Sequence, residues 1–431
     1  MSSYGEIILG KDYKVAYDPY ILNQNIALVG VPGCGKTREH IIPFMMSNPK
    51  LSYVIADIKG DLVKKTASFF KKHGYCIQIY NLNDMDKSHS YNPIAYIQDE
   101  NDCLKLSNAI YGKYTSTDPF WDQSANMLIT ALICYVVFDA PLKYRTLAYA
   151  AKILSECNVY SDIRGNTKCS LDDIFDYLQD SSIGKKYYKQ FRTAALKTLQ
   201  SIIISANAKM YKYSSEQVQK LMSKNEISFE HYKYEKTITY VILNDADDTF
   251  TPLADMFFNQ ILNYFVKESK DLKDGKFEIP IQIILDDFCA YRIDRFEHLI
   301  ACLRSRNIGI TIALQSDTQL VQNYGEAAST TILNCCDTYL YMGGTELETC
   351  ATISKKLNVP LDEVMYMPLH NSIVIRRGEK PRKLHNFDFN QSIYAKMCED
   401  NEINFDYNQF IHPLNINRNR FKYDHIYDSK N

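Results

Sequence analysis

The feature that most constrains this chain is a glycine-rich segment that follows an apolar run. Residues 25–40 are NIALVGVPGCGKTREH, and Gly30, Gly35, Lys36 and Thr37 satisfy the spacing G-x-x-x-x-G-K-[ST]. Glycines tolerate positive φ, so successive backbone N–H groups can turn inward around phosphate oxygens. An ordinary glycine turn is the alternative. The strand-like run before the turn and the Lys-Thr pair favour a phosphate loop that binds a nucleoside triphosphate.

The residue types of this loop predict separate roles in binding. Lys36 is expected to reach the β- and γ-phosphates as a point charge, and the Thr37 hydroxyl to ligate Mg²⁺. The helix predicted after the loop would direct its positive end at the anion. The predicted nucleotide-binding residues of the loop are Gly30, Pro32, Gly33, Cys34, Gly35, Lys36, Thr37 and Arg38.

The length and net charge of the chain limit the number of domains and the kind of partner that can be expected. A chain of 431 residues is too long for one compact core, so two domains are expected, one of them inserted in the other. With 46% hydrophobic and 23% charged residues the chain is globular rather than disordered. Its net charge of −2 argues against a uniformly basic nucleic-acid binder, although a local basic lining remains compatible with that balance.

Cysteine and histidine spacing argues against a metal centre. The 12 cysteines contain no C-x-x-C pair and only one adjacent doublet, Cys335–Cys336, which suits a reduced cytosolic protein and excludes the usual zinc spacings. No histidine is predicted to be a metal ligand. No signal peptide opens the chain, and the apolar run 127–138 is too short to span a bilayer, so a buried helix in a soluble protein is expected.

Apolar patterning predicts an α/β protein with a mainly parallel central sheet. Strand and helix patterns alternate at both ends of the chain, whereas the middle has helical spacing without a strong strand pattern. The tail lacks periodicity. The predicted strands are 25–30, 51–57, 75–82, 236–245, 279–288, 308–316, 331–343 and 371–378. The predicted domains are a nucleotide-binding domain in two parts (1–97 and 231–400), an inserted all-helical domain (98–230) and a carboxyl-terminal tail (401–431).

Ligands of such sheets bind at the carboxyl ends of the strands, and polar residues follow two of the predicted strands there. IILDDF ends in Asp286 and Asp287; the first acid is predicted to lie beside Mg²⁺ and the second to polarise the attacking water. The alternative is an Asp-rich turn. Gln315 ends the next strand and is predicted to sense the γ-phosphate, with a solvated amide as the alternative.

Two arginines precede that strand. Arg304 and Arg306 are two positions apart on a helix and do not share a face. One of them could serve as an arginine finger for a neighbouring subunit, and either could be a surface cation. Spacing alone leaves this choice open.

The ordered series GVPGCGKTR, VIADIKGDL, SYNPIAYI, FWDQSANMLI, IILDDF, RSRNIGITIALQS and TTILNCCDTYLYMG resembles the type IV coupling proteins. These are DNA-pump ATPases of bacterial conjugation and type IV secretion, related to RecA-like motors. The resemblance runs from about residue 25 to about residue 390. It implies a RecA-like nucleotide-binding domain with an inserted helical domain, ATP and Mg²⁺ as ligands, and a homo-hexameric ring with DNA in its channel.

The resemblance also implies roles for single residues. Asp286 would be the metal-side acid, Gln315 the sensor and Arg304 the arginine finger. Asp57, in the turn DIKGD, would lie beside the nucleotide; a solvated acid in a glycine turn is the alternative reading. DNA would be held through its backbone without base readout.

The sequence departs from the family at three points. Asp287 stands where the family usually has Glu, and the shorter side chain predicts slow turnover. The amino-terminal membrane helices of many relatives are not found in this sequence, so a cytoplasmic protein is expected that reaches the inner membrane through a partner or through sequence outside this chain. Cys34 lies inside the phosphate loop, so thiol alkylation is expected to impair nucleotide binding.

Three functions follow from these observations. The first is an ATP-driven DNA translocase that couples a relaxase or relaxosome to the components of a secretion channel. The second is a nucleotide-binding receptor or scaffold with little hydrolysis, made plausible by Asp287. The third is a DNA-processing or segregation translocase that is not tied to secretion.

Overall fold

A computed structural model describes residues 4–18, 23–112 and 118–411. Within these ranges the chain forms two compact units. The first unit combines the residues up to Asn83 with Ser228–Ile411, and the second comprises Asp84–Ile227.

The strands of the described residues are numbered in chain order. They are β1 Glu6–Gly10, β2 Tyr13–Ala16, β3 Ile26–Val29, β4 Ser52–Asp57, β5 Cys76–Asn81, β6 Val159–Ser161, β7 Thr167–Cys169, β8 Thr237–Ile242, β9 Ile281–Leu285, β10 Ile308–Leu314, β11 Thr338–Tyr341, β12 Asn371–Arg376 and β13 Arg382–His385.

The α-helices are numbered in the same way. They are α1 Ile42–Ser47, α2 Asp61–Lys72, α3 Glu100–Tyr111, α4 Pro119–Cys134, α5 Leu147–Ser155, α6 Asp172–Phe175, α7 Ile183–Arg192, α8 Leu196–Met210, α9 Glu216–Leu221, α10 Thr251–Glu268, α11 Phe296–Leu303, α12 Asp317–Tyr324, α13 Glu326–Asn334, α14 Leu347–Leu357, α15 Leu361–Met365 and α16 Ile393–Ile403.

The first unit is built on a nine-stranded sheet with the order β13-β12-β11-β3-β10-β9-β4-β8-β5. The strands from β11 through to β5 pair in parallel, and only β12 and β13 are antiparallel to their neighbours. The predicted α/β class with a mainly parallel central sheet is confirmed.

The central strands are almost free of solvent contact. The residues of β3 are at most 1% exposed, and β10 is buried along its whole length. Continuous apolar runs of this kind are typical of parallel strands covered on both faces by helices. They were therefore recognisable in the sequence as buried strands.

Strand order brings distant segments together. Strands β9 and β10 lie between β3 and β4, although they follow them in the chain by more than two hundred residues. Because parallel strands end at one edge of the sheet, the loop after β3 lies beside the residues that follow β9 and β10.

A buried amide holds β9 and β10 close together at their starts. Gln282 donates from Nε2 to Thr311 Oγ1 (2.9 Å) and to the Gln24 carbonyl (3.2 Å). Gly309 leaves room for this side chain, because a Cβ at that position would lie 2.4 Å from Gln282 Oε1. The absence of a side chain at Gly309 thus sets the spacing of the two central strands.

One predicted strand begins later than expected. Residues 331–343 were predicted as a strand, but residues 331–334 complete α13 and the strand starts at Thr338. Ser329 and Ile332, three positions apart, are the buried residues of α13, which is helical spacing. The strands β1, β2 and β13 were not predicted.

The second unit is mainly helical rather than all-helical. Helices α3 to α9 belong to it, together with the antiparallel hairpin β6–β7. In the turn of this hairpin, Gly165 donates its N–H to the Asp162 carbonyl (2.9 Å) and adopts a φ of 79°. Such short strands contain too few residues to produce a strand pattern.

The second unit also starts earlier than the predicted insertion at 98–230. Residues 84–97 contain only two 3₁₀ turns, and this irregular segment hydrogen-bonds to the end of the same unit. Ser90 N–H donates to Glu226 (2.9 Å), and Asn92 N–H donates to Asn225 (3.1 Å). These contacts place the boundaries at Asp84 and Ile227.

Within the described parts of the chain, one helical stretch is long and apolar enough to cross a membrane. Helix α4 continues through a π-helical turn, so Pro119–Asp139 is helical over 21 residues, longer than the predicted run 127–138. Of its most apolar window, 67% is buried inside the protein. Core helices of soluble proteins pass the same test of length and composition, so burial rather than length supports a core helix here.

The start of the predicted tail is ordered against the first unit. Helix α16 contacts α2, where Asn401 donates to the Lys65 carbonyl (2.8 Å), and Phe410 is 5% exposed. Residues 401–411 therefore belong to the packed structure. The remainder of the predicted tail, 412–431, lies outside the described residues.

Candidate active site

The glycine-rich loop lies at the carboxyl edge of the central sheet. Val29 at the end of β3 is in register with Leu314 of β10 on one side and Tyr341 of β11 on the other. Gly30 N–H donates to the Leu314 carbonyl, and Val31 N–H donates to the Gly343 carbonyl, both at 3.0 Å. Both neighbouring strands thus fix the start of the loop.

Close packing explains two glycines of the loop. Gly35 has a φ of 99°, and a Cβ there would lie 2.6 Å from the Glu39 side chain. A Cβ on Gly30 would lie 2.7 Å from Cys34 Sγ. Neither position has room for a side chain. Glycine at both positions therefore lets the backbone curl as tightly as a phosphate cradle requires.

Lys36 is buried inside the loop. Its Nζ donates to the Gly30 carbonyl (2.5 Å) and the Val31 carbonyl (3.3 Å). The ammonium is therefore held where the loop backbone closes around it. This places one full positive charge among the amide groups of the loop.

The other loop residues that the sequence singled out differ in exposure. Pro32 and Gly33 are exposed, and the Arg38 side chain is 51% exposed and pairs with Glu39. Cys34 is half-buried, and burial raises the pKa of its thiol. The helix after the loop begins with a π-helical turn, Lys36–Ile41, before α1. Single π-helical turns occur frequently at functional sites.

Thr37 meets the acidic strand end. Its Oγ1 donates to Asp286 Oδ2 at 2.8 Å, which joins the loop to a strand 249 positions later in the chain. Two adjacent ligands of an octahedral Mg²⁺ are about 2.9 Å apart when each metal–oxygen bond is ~2.05 Å. The hydroxyl and the carboxylate therefore fit one Mg²⁺ in both donor type and spacing.

Asp286 is further held by its own turn. Its Oδ1 accepts the backbone N–H of Asp287 at 3.1 Å. Burial raises the pKa of Asp286, and the Thr37 hydroxyl opposes this by stabilising the ionised form. A divalent cation would relieve the same electrostatic penalty.

Asp57 lies at the end of β4, next to β9 in the sheet. Its carboxylate accepts the N–H groups of Asp61 (3.1 Å) and Val63 (2.9 Å) at the start of α2. The side chain is 3% exposed, so it is not the solvated acid of the alternative reading. Burial raises the pKa of Asp57 to about 6, and the nearby Asp286 adds to this effect. Asp57 thus caps α2 and adds negative charge near Asp286.

Asp287 follows in a left-handed conformation, with a φ of 45° and a ψ of 52°. This conformation is uncommon for residues other than glycine, and strained residues cluster at functional sites. Its side chain is partly exposed. Among the described residues, no hydrogen bond or ion pair of the Asp287 carboxylate is found. The carboxylate is thus available to a water or a ligand.

Gln315 lies immediately after β10, whose last residue, Leu314, is in register with Val29 at the end of β3. Its side chain is exposed, and its backbone N–H is held by Gln319 Oε1 (3.1 Å) at the start of α12. The structure therefore brings Gln315 to the same edge as the loop and the acids, as the position of a sensor requires.

Arg304 lies at the other edge of the sheet. It belongs to a 3₁₀ turn before β10, at the amino ends of the parallel strands, and is exposed. The loop of the same chain lies beyond the carboxyl ends. The Arg306 guanidinium is tied to Ser269 Oγ (2.8 Å) and the Cys302 carbonyl. Of the two arginines, Arg304 is the one with a guanidinium that makes no hydrogen bond or ion pair within the described ranges.

Sequence reasoning missed a buried acid beneath the loop. Glu39 is 6% exposed and accepts a hydrogen bond from Asn386 Nδ2 (2.9 Å), and the His370 ring lies 3.5 Å from its carboxylate. Both partners come from segments more than three hundred positions later in the chain. No local pattern could have revealed this contact.

A family model described as Type IV secretory system Conjugative DNA transfer matches residues 6–358. The chain belongs to this family. The match spans the loop, both acids after β9, Gln315 and Arg304, so all the predicted site residues lie inside the conjugative DNA transfer region. The predicted resemblance to type IV coupling proteins is confirmed. No curated protein sequence matches the chain.

Several solved structures share the fold at low sequence identity. The bacterial conjugative coupling protein TrwB, unbound, is 13% identical with a TM-score of 0.64, over 85% of each chain. TrwB in complex with ADP and Mg²⁺ is 12% identical with a TM-score of 0.65, over 92% of this chain and 98% of that one. VirB4 of Thermoanaerobacter pseudethanolicus is 11% identical with a TM-score of 0.52, over 90% and 96%.

Proposed function

We propose that this conjugative DNA transfer protein is a Mg²⁺-dependent ATPase that moves DNA from a relaxase-bound substrate towards a secretion channel. The observation that carries the proposal is the 2.8 Å contact between Thr37 Oγ1 and Asp286 Oδ2. This contact joins a phosphate loop to an acidic strand end. Complexes of TrwB with ADPNP, with GDPNP and with ADP and Mg²⁺ support nucleotide binding at such a fold.

Each residue of the site has a part in binding the triphosphate. Loop amides and the Lys36 ammonium receive the phosphate oxygens, replacing the carbonyl contacts that Lys36 now makes. Thr37 and Asp286 would hold Mg²⁺, which neutralises charge on the phosphates when bound. Asp57 keeps its hydrogen bond to the start of α2 and adds negative charge near Asp286.

Hydrolysis needs a group that orients the attacking water and accepts its proton. Asp287 fits this role because its carboxylate has no competing partner among the described residues and follows directly after Asp286. Gln315 can hold the same water through its exposed amide. We place Asp287 as the general base and Gln315 as the sensor.

Arg304 would complete a site of another subunit. Its position at the amino edge of the sheet separates it from the loop of its own chain. A head-to-tail ring places opposite surfaces of successive subunits in contact, so Arg304 of one subunit can reach the nucleotide of the next. This supports a homo-hexameric ring with DNA held through backbone contacts in its channel.

A second function is favoured by Asp287. The carboxylate is one methylene shorter than the Glu usual in coupling proteins, and an ångström of misplacement can cost about a hundredfold in rate. A nucleotide-binding receptor of the secretion system with little hydrolysis is therefore the alternative. A DNA-processing translocase outside secretion would share the same site; the family match favours the conjugative role.

Steady-state ATP hydrolysis with and without single- and double-stranded DNA separates these functions. The proposal predicts DNA-stimulated hydrolysis that Lys36→Ala abolishes and the exposed control Lys14→Ala preserves. Absence of ATP hydrolysis with intact ATP binding would support the alternative function, a nucleotide-binding receptor with little hydrolysis. Transfer of a conjugative element that does not depend on the protein would instead indicate a DNA-processing translocase. We further propose that the protein acts in the cytoplasm, at the inner face of the inner membrane, where channel components recruit it.

A further inference from the structure

Three different metal-ligating side chains meet at one edge of the first unit. Cys76, His231 and Glu235 each place one ligating atom within 4.8 Å of the other two. Cys76 opens β5, the edge strand of the central sheet. His231 and Glu235 belong to the segment through which the chain returns to the first unit after Ile227. The cluster is distant in sequence from every residue of the proposed ATP site.

Backbone hydrogen bonds hold this cluster in place before any ligand binds. Cys76 N–H donates to the Lys236 carbonyl at 2.9 Å, which fixes the strand beside the returning segment. Glu235 N–H donates to the His231 carbonyl at 3.0 Å, so both side chains project from one turn. Gln78 Nε2 donates to the Ser228 carbonyl at 2.9 Å and anchors the start of the segment. Such preorganisation lowers the entropic cost of binding.

The three side chains are buried to different extents. His231 is 4% exposed, Cys76 is half-buried, and the Glu235 side chain is 47% exposed. His231 Nδ1 hydrogen-bonds to Glu235, so the imidazole and the carboxylate are already oriented towards one another. The cluster therefore has a buried inner side and an outer side that solvent can reach.

The donor set selects the metal. A thiolate, an imidazole and a carboxylate suit Zn²⁺, whereas Mg²⁺ and Ca²⁺ take oxygen ligands. Zinc bonds of about 2.3 Å to sulfur and 2.0–2.1 Å to nitrogen or oxygen place tetrahedral ligands roughly 3.3–3.7 Å apart. The three donors lie within 4.8 Å of one another, and the hydrogen-bonded atoms of His231 and Glu235 would move apart to admit the ion.

We propose that Cys76, His231 and Glu235 bind a zinc ion, with the fourth position open to water on the exposed side. The ion would tie edge strand β5 to the segment by which the chain re-enters the first unit. Zinc would thus strengthen the point at which an inserted unit joins its host. The sequence contains none of the usual zinc motifs, because these ligands come from two separate segments that only the fold brings together.

The competing explanation is a structural hydrogen bond between His231 and Glu235 beside a half-buried thiol. Burial, reinforced by the Glu235 carboxylate, raises the pKa of the Cys76 thiol to about 12, so without a cation the thiol stays protonated. Zinc displaces this proton, as it does from coordinating thiols generally. The two explanations differ in whether the full chain binds zinc through Cys76.

The test uses the full chain, freed of metal with a chelator and then dialysed. Titration with Zn²⁺ against a chromophoric chelator gives stoichiometry and affinity, and Co²⁺ in place of zinc reports a bound thiolate by its charge-transfer absorption. Wild type is compared with Cys76→Ser, His231→Gln and Glu235→Gln. Cys289→Ser is the matched control, because Cys289 is also half-buried and burial likewise raises the pKa of its thiol to about 12.

One zinc per chain is expected for wild type and Cys289→Ser, with a thiolate–cobalt band in both. Cys76→Ser should lose the band, and each ligand variant should weaken zinc binding by about tenfold or more. Zinc should also raise the melting temperature of wild type but not of Cys76→Ser. Equal zinc affinity in wild type and Glu235→Gln, whose exposed position tolerates the change, would overturn the proposal. Absence of the thiolate–cobalt band in folded wild type would overturn it as well.

Discussion

Two adjacent carboxylates at the end of β9 have different surroundings. Asp286 is held on both oxygens, by the Thr37 hydroxyl and by the N–H of Asp287. Asp287 has a left-handed backbone and a carboxylate without a partner among the described residues. The first arrangement suits a metal ligand and the second suits a base, so we propose different roles for these two neighbouring aspartates.

The short side chain of Asp287 gives a direct prediction about the rate of ATP hydrolysis. Asp287→Asn should lower the rate of ATP hydrolysis by about a hundredfold or more, because a general base contributes on that order. Asp287→Glu should hold or raise the rate, because the longer side chain restores the reach usual in the family. Steady-state hydrolysis with DNA measures both, and the exposed Asp294→Asn is the control. A large drop for Asp287→Glu would show that the shorter acid is tuned to this site.

The thiol inside the phosphate loop gives a second prediction. Cys34 Sγ lies 2.7 Å from where a Cβ of Gly30 would be, so the thiol packs against the loop backbone and an added alkyl group would crowd the loop. Alkylation of Cys34 should therefore lower ATP affinity, measured by calorimetry before and after modification. Cys34→Ser treated in the same way is the control for the other 11 thiols. Full ATP affinity after complete modification of Cys34 would exclude this effect.

At the scale of elements, the turn after the phosphate loop is anchored to the first hairpin through one buried histidine. His40 Nδ1 lies 2.9 Å from the Ile8 carbonyl of β1, and the ring is 2% exposed. Burial lowers the pKa of His40 to about 4, and the Ile8 carbonyl only partly opposes this. The neutral imidazole is therefore the form that the folded protein holds.

This histidine predicts a loss of stability in mild acid. The unfolded chain takes up the proton near pH 6.5 but the folded chain only near pH 4, so His40 favours folding fully above pH 6.5 and less as the pH falls towards 4. At pH 5 the loss is about 2 kcal/mol. Urea unfolding of wild type and His40→Gln at pH 7 and pH 5 measures it. Asp57, with its raised pKa, acts in the opposite direction in both proteins and cancels in the comparison. An identical pH dependence in the two proteins would contradict the assignment.

The spacing of the central strands gives a further prediction. Gly309→Ala would place a Cβ against Gln282 Oε1 and within 2.9 Å of the Gln24 backbone, which cannot easily move. The free energy of unfolding of this variant should be about 1–3 kcal/mol lower than that of wild type, because overpacking a core costs this much. Gly344→Ala is the control, because the nearest atom there is the end of the Val31 side chain at 3.3 Å. Equal stability of both variants in urea unfolding would show that β9 and β10 adjust freely.

Elements with strong local patterns could be predicted from the sequence, and those that depend on distant partners could not. Strands β4, β8 and β10 are mainly apolar, are buried along their whole length, and were predicted within a few residues of their limits. The strand after α13 was placed too early because Thr and Ile also suit strands. The proposed site residues were predicted from their motifs, whereas Glu39 was not predicted because its partner Asn386 comes from a segment far away in sequence.

At the scale of the whole molecule, the position of Arg304 bears on assembly. A residue at the amino edge of the sheet cannot serve a loop at the carboxyl edge of the same chain. If it acts on a neighbour, Arg304→Ala and Lys36→Ala chains are each inactive, but a mixture contains sites with both residues intact. Equal mixing should restore about a quarter of wild-type hydrolysis in a head-to-tail ring. No recovery after co-assembly would exclude a role of Arg304 between subunits.

The expectations for ATP binding and hydrolysis depend on one composite Mg²⁺–ATP site built from the phosphate loop and the end of β9. A double-mutant cycle on Mg²⁺-dependent ATP affinity, with Thr37→Val, Asp286→Asn and both together, tests this most directly. Because the two side chains would hold one ion, each single change should remove most of the gain that Mg²⁺ provides. The double change should then cost little more, with a coupling energy of about 1 kcal/mol or larger. Losses that simply add, or an affinity that none of the changes alters, would contradict the account.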